Sequence, residues 1–281
     1  KLGVNFDIKA STSRKEALEG ATFCIISIEV GKRFDLWDQD WKIPLQYGIR
    51  QVYGENGGPG GLFHSLRQIP PIIEICEDIN LICPDAVVFN FSNPMQRICH
   101  AVTTKFPDLK FIGLCHEIKS MNRQLPDLME TEMHNIEFRA AGLNHLSILL
   151  EARYKNTGKD GYPIIKQNFD AYFSDLVNKH DAKPSKPGAE RGVFRKLFKT
   201  YGYLPITTDS HLGEYIQWAY SVADHDAILD FYDNYKEKCL AFYDNKTSYD
   251  HYFDLKNLDT HERVVPLSLI HISEPTRPLT I

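Results

Sequence analysis

The sequence lacks several features at once. Acidic residues outnumber basic ones, 37 to 32, and the net charge of -5 leaves no basic field to recruit nucleic acid. No apolar run approaches the roughly 20 residues that a membrane-spanning helix needs. Neither an initiator methionine nor a basic-then-apolar leader opens the chain, so no secretory signal is read here. None of the six cysteines belongs to a C-x-x-C pair, which argues against a disulfide framework and against a structural zinc site. Reduced thiols in a cytoplasmic protein are the expectation. What is present is an ordinary soluble composition, 43% hydrophobic and 25% charged, which excludes a mainly disordered chain. At about 150 residues per domain, 281 residues suggest roughly two domains.

The first half alternates two kinds of segment. TFCIISI at 22–28, DAVVFNF at 85–91 and LKFIGLC at 109–115 are apolar runs suited to strands buried on both faces. Between the last two and ahead of them lie helical stretches, Leu62–Leu81 and Pro94–Lys105, the second opening at a proline. Strands separated by such helices predict an α/β fold with a doubly wound parallel sheet, whose ligands sit beyond the carboxyl ends of the strands. From about residue 135 helical periodicity dominates, over 163–180 and 213–240, with a polar loop or arm, DAKPSKPGAERG, at 181–192. The expected division is 1–137, 138–265 and a tail, 266–281. That tail contains LSLIHISEPTR, which resembles a translated sequencing adapter and is set aside from the fold.

Four motifs carry chemistry. GENGGPGG at 54–61 permits close backbone approach to a ligand, though a plain flexible loop would read the same way. NFSNP at 90–94 follows a strand, and its Asn90 and Asn93 amides are expected to project towards the crevice; Asn before Pro is also ordinary turn chemistry. GLCHEI at 113–118 puts Cys115 and His116 where a doubly wound sheet opens onto its ligand. AGLNHLSIL at 141–149 places His145 in an apolar segment, where a core histidine is the alternative.

These motifs in this order, with LPITTDSHLGEYIQWA at 204–219, resemble glycoside hydrolase family 4, whose members use NAD and a divalent metal, usually Mn2+. The resemblance runs from about residue 20 to 220. It implies a Rossmann-like NAD-binding domain, of the lactate/malate dehydrogenase architecture, followed by a largely helical α+β catalytic domain. It further implies hydrolysis of α-glycosides through oxidation at carbon 3, elimination and water addition, a departure from the two-carboxylate rule of most glycosidases. Cys115 and His145 match the metal ligands. Asp209 lies where α-glycosidase members place the base for the carbon-2 proton, with a helix cap as its plain reading and His211 as a neighbouring alternative. His116 matches the proton-donor position, where others often carry Asp. Asn93, Asn56, Glu55 and Arg33 match sugar contacts, and Ile28, Glu29 and Asn90 the dinucleotide crevice. The expected partner is an α-linked sugar, galactoside, glucoside or uronide, bound by a homodimer or homotetramer, with neither nucleic acid nor membrane. A hydroxy-acid dehydrogenase or an inactive sugar- or nucleotide-binding fragment are the rival readings.

No G-x-G-x-x-G turn follows an N-terminal strand, and that turn is the usual pyrophosphate cradle. The 281-residue chain is therefore expected to bind NAD weakly and to show little glycosidase activity. Calorimetry with NAD checks this; micromolar affinity would overturn it.

Overall fold

A computed structural model describes residues 7, 9–115, 117–179, 191–244 and 268–270. A short helix α1 (Arg14–Leu18) precedes strand β1 (Phe23–Ile26). Then come helices α2 (Arg33–Gln46) and α3 (Gly58–Ile82), strand β2 (Val87–Asn90), helix α4 (Met95–Lys105) and strand β3 (Lys110–Cys115). β1, β2 and β3 pair in parallel in that spatial order, with Phe23 opposite Val87 and Val87 opposite Lys110. The expected parallel sheet is thus present, and its three carboxyl ends point the same way. Residues Ser268–Ile270 (β7), inside the stretch set aside as a tail, add an antiparallel strand to β3.

One face of this sheet holds a core of Ile26, Val88 and Phe111 against Ile72, Ile79, Ile98 and Val102 of α3 and α4. The other face differs from the sequence reading. Phe23 and Ile25 of β1 are 68% and 70% exposed, so this strand buries every second residue rather than both faces. Its apolar run reflects a face that nothing among the described residues covers. Cys24, Cys76, Cys83 and Cys99 lie in the core, where burial pushes Cys76 and Cys99 up to about 12 and keeps them as inert thiols.

The second half begins with helix α5 (Lys119–Met129) and then an antiparallel hairpin, β4 (Ile136–Leu143) and β5 (Leu146–Tyr154). This hairpin lies in a stretch where the sequence reading placed no element within the largely helical second domain: LSILL hides the alternation of a strand inside a continuous apolar run. Helices α6 (Tyr162–Lys179) and α7 (Gly192–Tyr201) follow, with the two-residue strand β6 (Leu204–Pro205) completing the sheet beside β5. After the short α8 (Asp209–Gly213), the helix expected from 213 starts only at His225, as α9 (His225–Asp244). The core here is aromatic, with Phe169 packed on Phe173, Phe194 and Phe198. Most of the polar arm, 181–190, lies outside the described residues.

Gly113 fixes how closely β3 lies on α4. A Cβ there would collide with Met95 Sδ and Cys99 Sγ, both in the helix. Gly113→Ala is expected to lower unfolding free energy by about 1–3 kcal/mol, the usual cost of overpacking a filled core. Urea unfolding measures it, and an unchanged midpoint would contradict this packing.

Candidate functional site

The carboxyl ends of the three parallel strands hold the first group of expected residues. Beyond β1, the Ile28 N–H donates to Ser92 Oγ at 2.8 Å, and the Ser92 hydroxyl donates back to the Ile28 carbonyl at 2.9 Å. This reciprocal pair ties the loop after β1 to the loop after β2. Ile28, Glu29, Arg33, Phe91, Ser92 and Asn93 line a cavity of about 650 Å³ at these ends. Asn90 does not project there. Its amide donates to the Ser92 carbonyl at 3.0 Å and accepts from the Ser92 N–H at 3.3 Å, and the residue is fully buried. The turn reading of NFSNP holds for Asn90, because a side chain closing its own turn has no polar atom left for the crevice.

Glu55 is the hub of the sugar-contact residues. The Asn93 amide donates to its Oε1 at 3.3 Å, Arg33 Nη2 stands 3.9 Å from the same oxygen, and the Asn56 amide donates to its Oε2 at 3.3 Å. Three expected residues therefore meet at the carboxylate of a fourth, and the four come from three separate segments. The loop that carries Glu55 and Asn56 is gripped from two sides. Glu214 Oε1 accepts their two backbone N–H groups at 2.6 and 2.8 Å, and Arg97 Nε donates to the Asn56 carbonyl at 2.6 Å. Glycine is required where the grip is tightest. A Cβ on Gly57 would strike the Glu214 backbone, and one on Gly61 the Asn56 backbone.

Cys115 and His145, 30 residues apart, also meet: Sγ lies 3.6 Å from Nε2. Cys115 is the last residue of β3, and His145 sits in the turn joining β4 to β5 with φ of 67°. Few residues other than glycine adopt that left-handed conformation, and the turn is stabilised from outside. Glu117 Oε2 accepts the His145 N–H at 2.8 Å, while Oε1 accepts the Ser147 hydroxyl at 3.0 Å. On the far side of the ring, the Asn56 amide nitrogen is 2.9 Å from Nδ1. Burial alone would lower His145, but Cys115 and the carboxylates of Glu214 and Glu55 outweigh it and hold the imidazole well above its ordinary value.

Ligand atoms of Cys115, Glu117 and His145 lie within 4.8 Å of one another, as do those of Glu55, His145 and His211. The His145 and His211 rings lie face to face, 3.9 Å apart and 8° from parallel. In-plane lone pairs of parallel rings do not converge on one point between them, so His211 is a stacking neighbour and not a co-ligand in this arrangement. The thiolate of Cys115 and the imidazole of His145 are donors that a borderline divalent ion accepts. Two buried oxygens at this place, Asn56 Oδ1 and Glu214 Oε2, have no hydrogen-bond partner among the described residues. The donor set fits a metal.

Asp209 is not in this cleft. It is fully buried, and its two oxygens accept the N–H groups of Val193 and Phe194 at 2.8 Å each, capping α7. The expectation of a base is corrected: the carboxylate is spent on the first turn of a helix 17 residues upstream, where unpaired N–H groups and the helix dipole attract it. The DSH segment instead presents His211. His116 lies outside the described residues. The sequence reading missed Glu117, Glu214 and Arg97. Only the acidic residues flanking the motifs, CHE and GEY, hinted at the first two.

A parallel sheet with its loops gathered over a thiol–imidazole pair defines a Rossmann-like enzyme class in which the second unit completes the site. Residues 1–131 match the family 4 glycosyl hydrolase domain and residues 140–271 the family 4 glycosyl hydrolase C-terminal domain, so the chain belongs to that family. It is 51% identical to an alpha-glucosidase of Erwinia rhapontici over 84% of the chain and 58% of the relative. It is 35% identical to an alpha-galacturonidase of Thermoanaerobacter italicus over 76% of the chain and 48% of the relative. The chain thus spans about half the length of the curated relatives it matches. Its fold is similar to that of a 6-phospho-alpha-glucosidase from gut microorganisms, in complex with NAD and Mn2+, with a TM-score of 0.61 at 22% identity, covering 77% of this chain and 49% of that one.

Burial pushes the Asp209 carboxyl up to about 6, and the N–H groups of Phe194 and Val193 offset this only in part. A raised carboxyl binds its proton more tightly in the folded state, so the contribution of Asp209 to stability is most favourable below about pH 4 and is lost as pH rises through about 6. Asp209→Asn is expected to abolish that loss, worth up to about 3 kcal/mol in the wild type at 1.36 kcal/mol per pKa unit. Thermal melts at pH 4.5 and 7 read the difference; parallel pH dependence in both proteins would contradict it.

Proposed function

We propose that the protein of which this chain is a part hydrolyses α-glycosides with NAD and a divalent metal, Mn2+ first among candidates. One observation carries the proposal: Cys115 Sγ and His145 Nε2 stand 3.6 Å apart beside Glu55, at the carboxyl ends of the parallel strands. Family membership and the alpha-glucosidase relative support the reading, and that relative makes α-glucosides the class to test before galactosides or uronides. When bound, NAD supplies reversible hydride transfer and the metal supplies Lewis-acid polarisation of a sugar oxygen.

The chain's own residues have the remaining tasks. Cys115 and His145 would hold the metal, leaving positions open for sugar hydroxyls. Ile28 and Glu29 form the crevice wall that faces a dinucleotide. Asn93, Arg33, Glu55 and Asn56 form one hydrogen-bonded cluster, able to fix the sugar's orientation through donors and acceptors together. The proton-accepting role that the resemblance gave to Asp209 falls to His211 in this reading. Its ring nitrogen shares the neighbourhood of Glu55 and His145, and Ser210 Oγ lies 3.4 Å from Nδ1. A base must reach its proton directly or through one water, which Asp209 cannot do from its buried cap.

The test is a panel of nitrophenyl α-glycosides given to the full-length protein with NAD and Mn2+. Cys115→Ser should abolish Mn2+ binding and turnover together. His211→Ala should cut turnover by about 10²–10⁴ while Mn2+ binding persists, the range for loss of general acid–base catalysis. Undiminished turnover in Cys115→Ser would sink the metal assignment.

A further inference from the structure

We infer that Glu117 is the positioning residue that sets the Cys115–His145 pair, acting through its reach to the hairpin turn and not as a ligand. The inference rests on the metal reading above for what the pair does, but its geometry is independent of it. Glu117 lies two residues beyond Cys115, at the end of β3, and is 7% exposed. Its carboxylate spans to the turn between β4 and β5, with one oxygen on the His145 N–H and the other on the Ser147 hydroxyl. It is therefore the polar link that fastens the element carrying the thiol to the turn carrying the imidazole.

Two features make this more than incidental packing. His145 occupies a left-handed conformation that a β-carbon disfavours, and its N–H is buried. Without an acceptor that N–H would be orphaned, and the turn would relax towards a conformation that satisfies it. Relaxing φ at His145 swings the imidazole away from Cys115. Both carboxylate oxygens are already accepting, one from the turn and the other from the start of β5, which fits a clamp better than a metal ligand.

Reach and charge can be separated by two conservative variants. Glu117→Gln keeps the length: its amide oxygen can accept the His145 N–H while its NH2 donates to the Ser147 hydroxyl oxygen. Glu117→Asp keeps the charge but is one methylene short of spanning both donors. In the full-length protein, Mn2+ calorimetry should give Glu117→Gln an affinity within about threefold of wild type. Glu117→Asp should be weaker by about 10- to 100-fold, the usual effect of losing an outer-shell partner. Cys115→Ser serves as the control that loses binding altogether. Amide hydrogen exchange at 144–147, measured without metal, should stay protected in Glu117→Gln and accelerate at least about tenfold in Glu117→Asp. Thermal melts confirm that each variant is folded.

The reverse order, Glu117→Asp binding like wild type and Glu117→Gln failing, would overturn the inference and make the carboxylate a ligand. Equal exchange in all three proteins would also overturn it. Should the wild type bind no Mn2+, the metal reading fails by itself, and the exchange measurement alone decides the role of Glu117.

Discussion

Buried carboxylates that accept backbone N–H groups hold the loops of this protein where they are. Three do so, two at the site and one, Asp209, away from it. Glu214 takes the N–H groups of Glu55 and Asn56, Glu117 takes that of His145, and Asp209 takes those of Val193 and Phe194. Charge-assisted bonds of this kind are roughly twice as strong as neutral ones, which helps to offset the cost of removing a carboxylate from water. Each joins segments far apart in sequence, so each converts a loop into a fixed support. A hydrophobic core alone would not do this, because apolar contacts carry no direction.

The arrangement also has an electrostatic consequence. Glu55, Glu117 and Glu214 gather around His145 with the Cys115 thiol, and Arg33 and Arg97 oppose them nearby. Acidic side chains concentrated in a largely buried place raise one another's cost unless a cation shares it. A divalent ion would fill that role, and the unpartnered oxygens of Asn56 and Glu214 are of the kind that neighbouring bound groups satisfy. The charge pattern and the donor chemistry therefore favour the same occupant.

How much of this was legible in the sequence depended on whether the determining interaction was local. VVFN, KFIGLC and the proline-led helix after NFSNP were readable because period and capping are properties of neighbouring residues. The convergence of Glu55, Asn56, Asn93, Arg33, Cys115 and His145 was readable only through the resemblance, since no spacing announces a meeting of distant motifs. Asp209 misled because DSH looks like a functional segment, yet the helix it caps begins 17 residues before it. Asn90 misled for the opposite reason: its bonds are so local that they consume both ends of the amide. The hairpin around His145 was hidden by its apolar strands and by a turn whose left-handed residue is not glycine.

That last point explains why one residue beside a motif can matter as much as the motif. A glycine in the turn would adopt the left-handed conformation unaided and present no ring; a histidine presents the ring and needs help with the backbone. The help comes from Glu117, two residues beyond the strand end that supplies Cys115. Placing the support two residues from the thiol means that any shift of β3 carries thiol and clamp together. The separation of Cys115 from His145 is then held by one short covalent path and two hydrogen bonds, and depends less on the accumulated packing of the 29 residues between them. A site assembled from two units tolerates small changes in their packing only if its critical distance is fixed locally, and here it is.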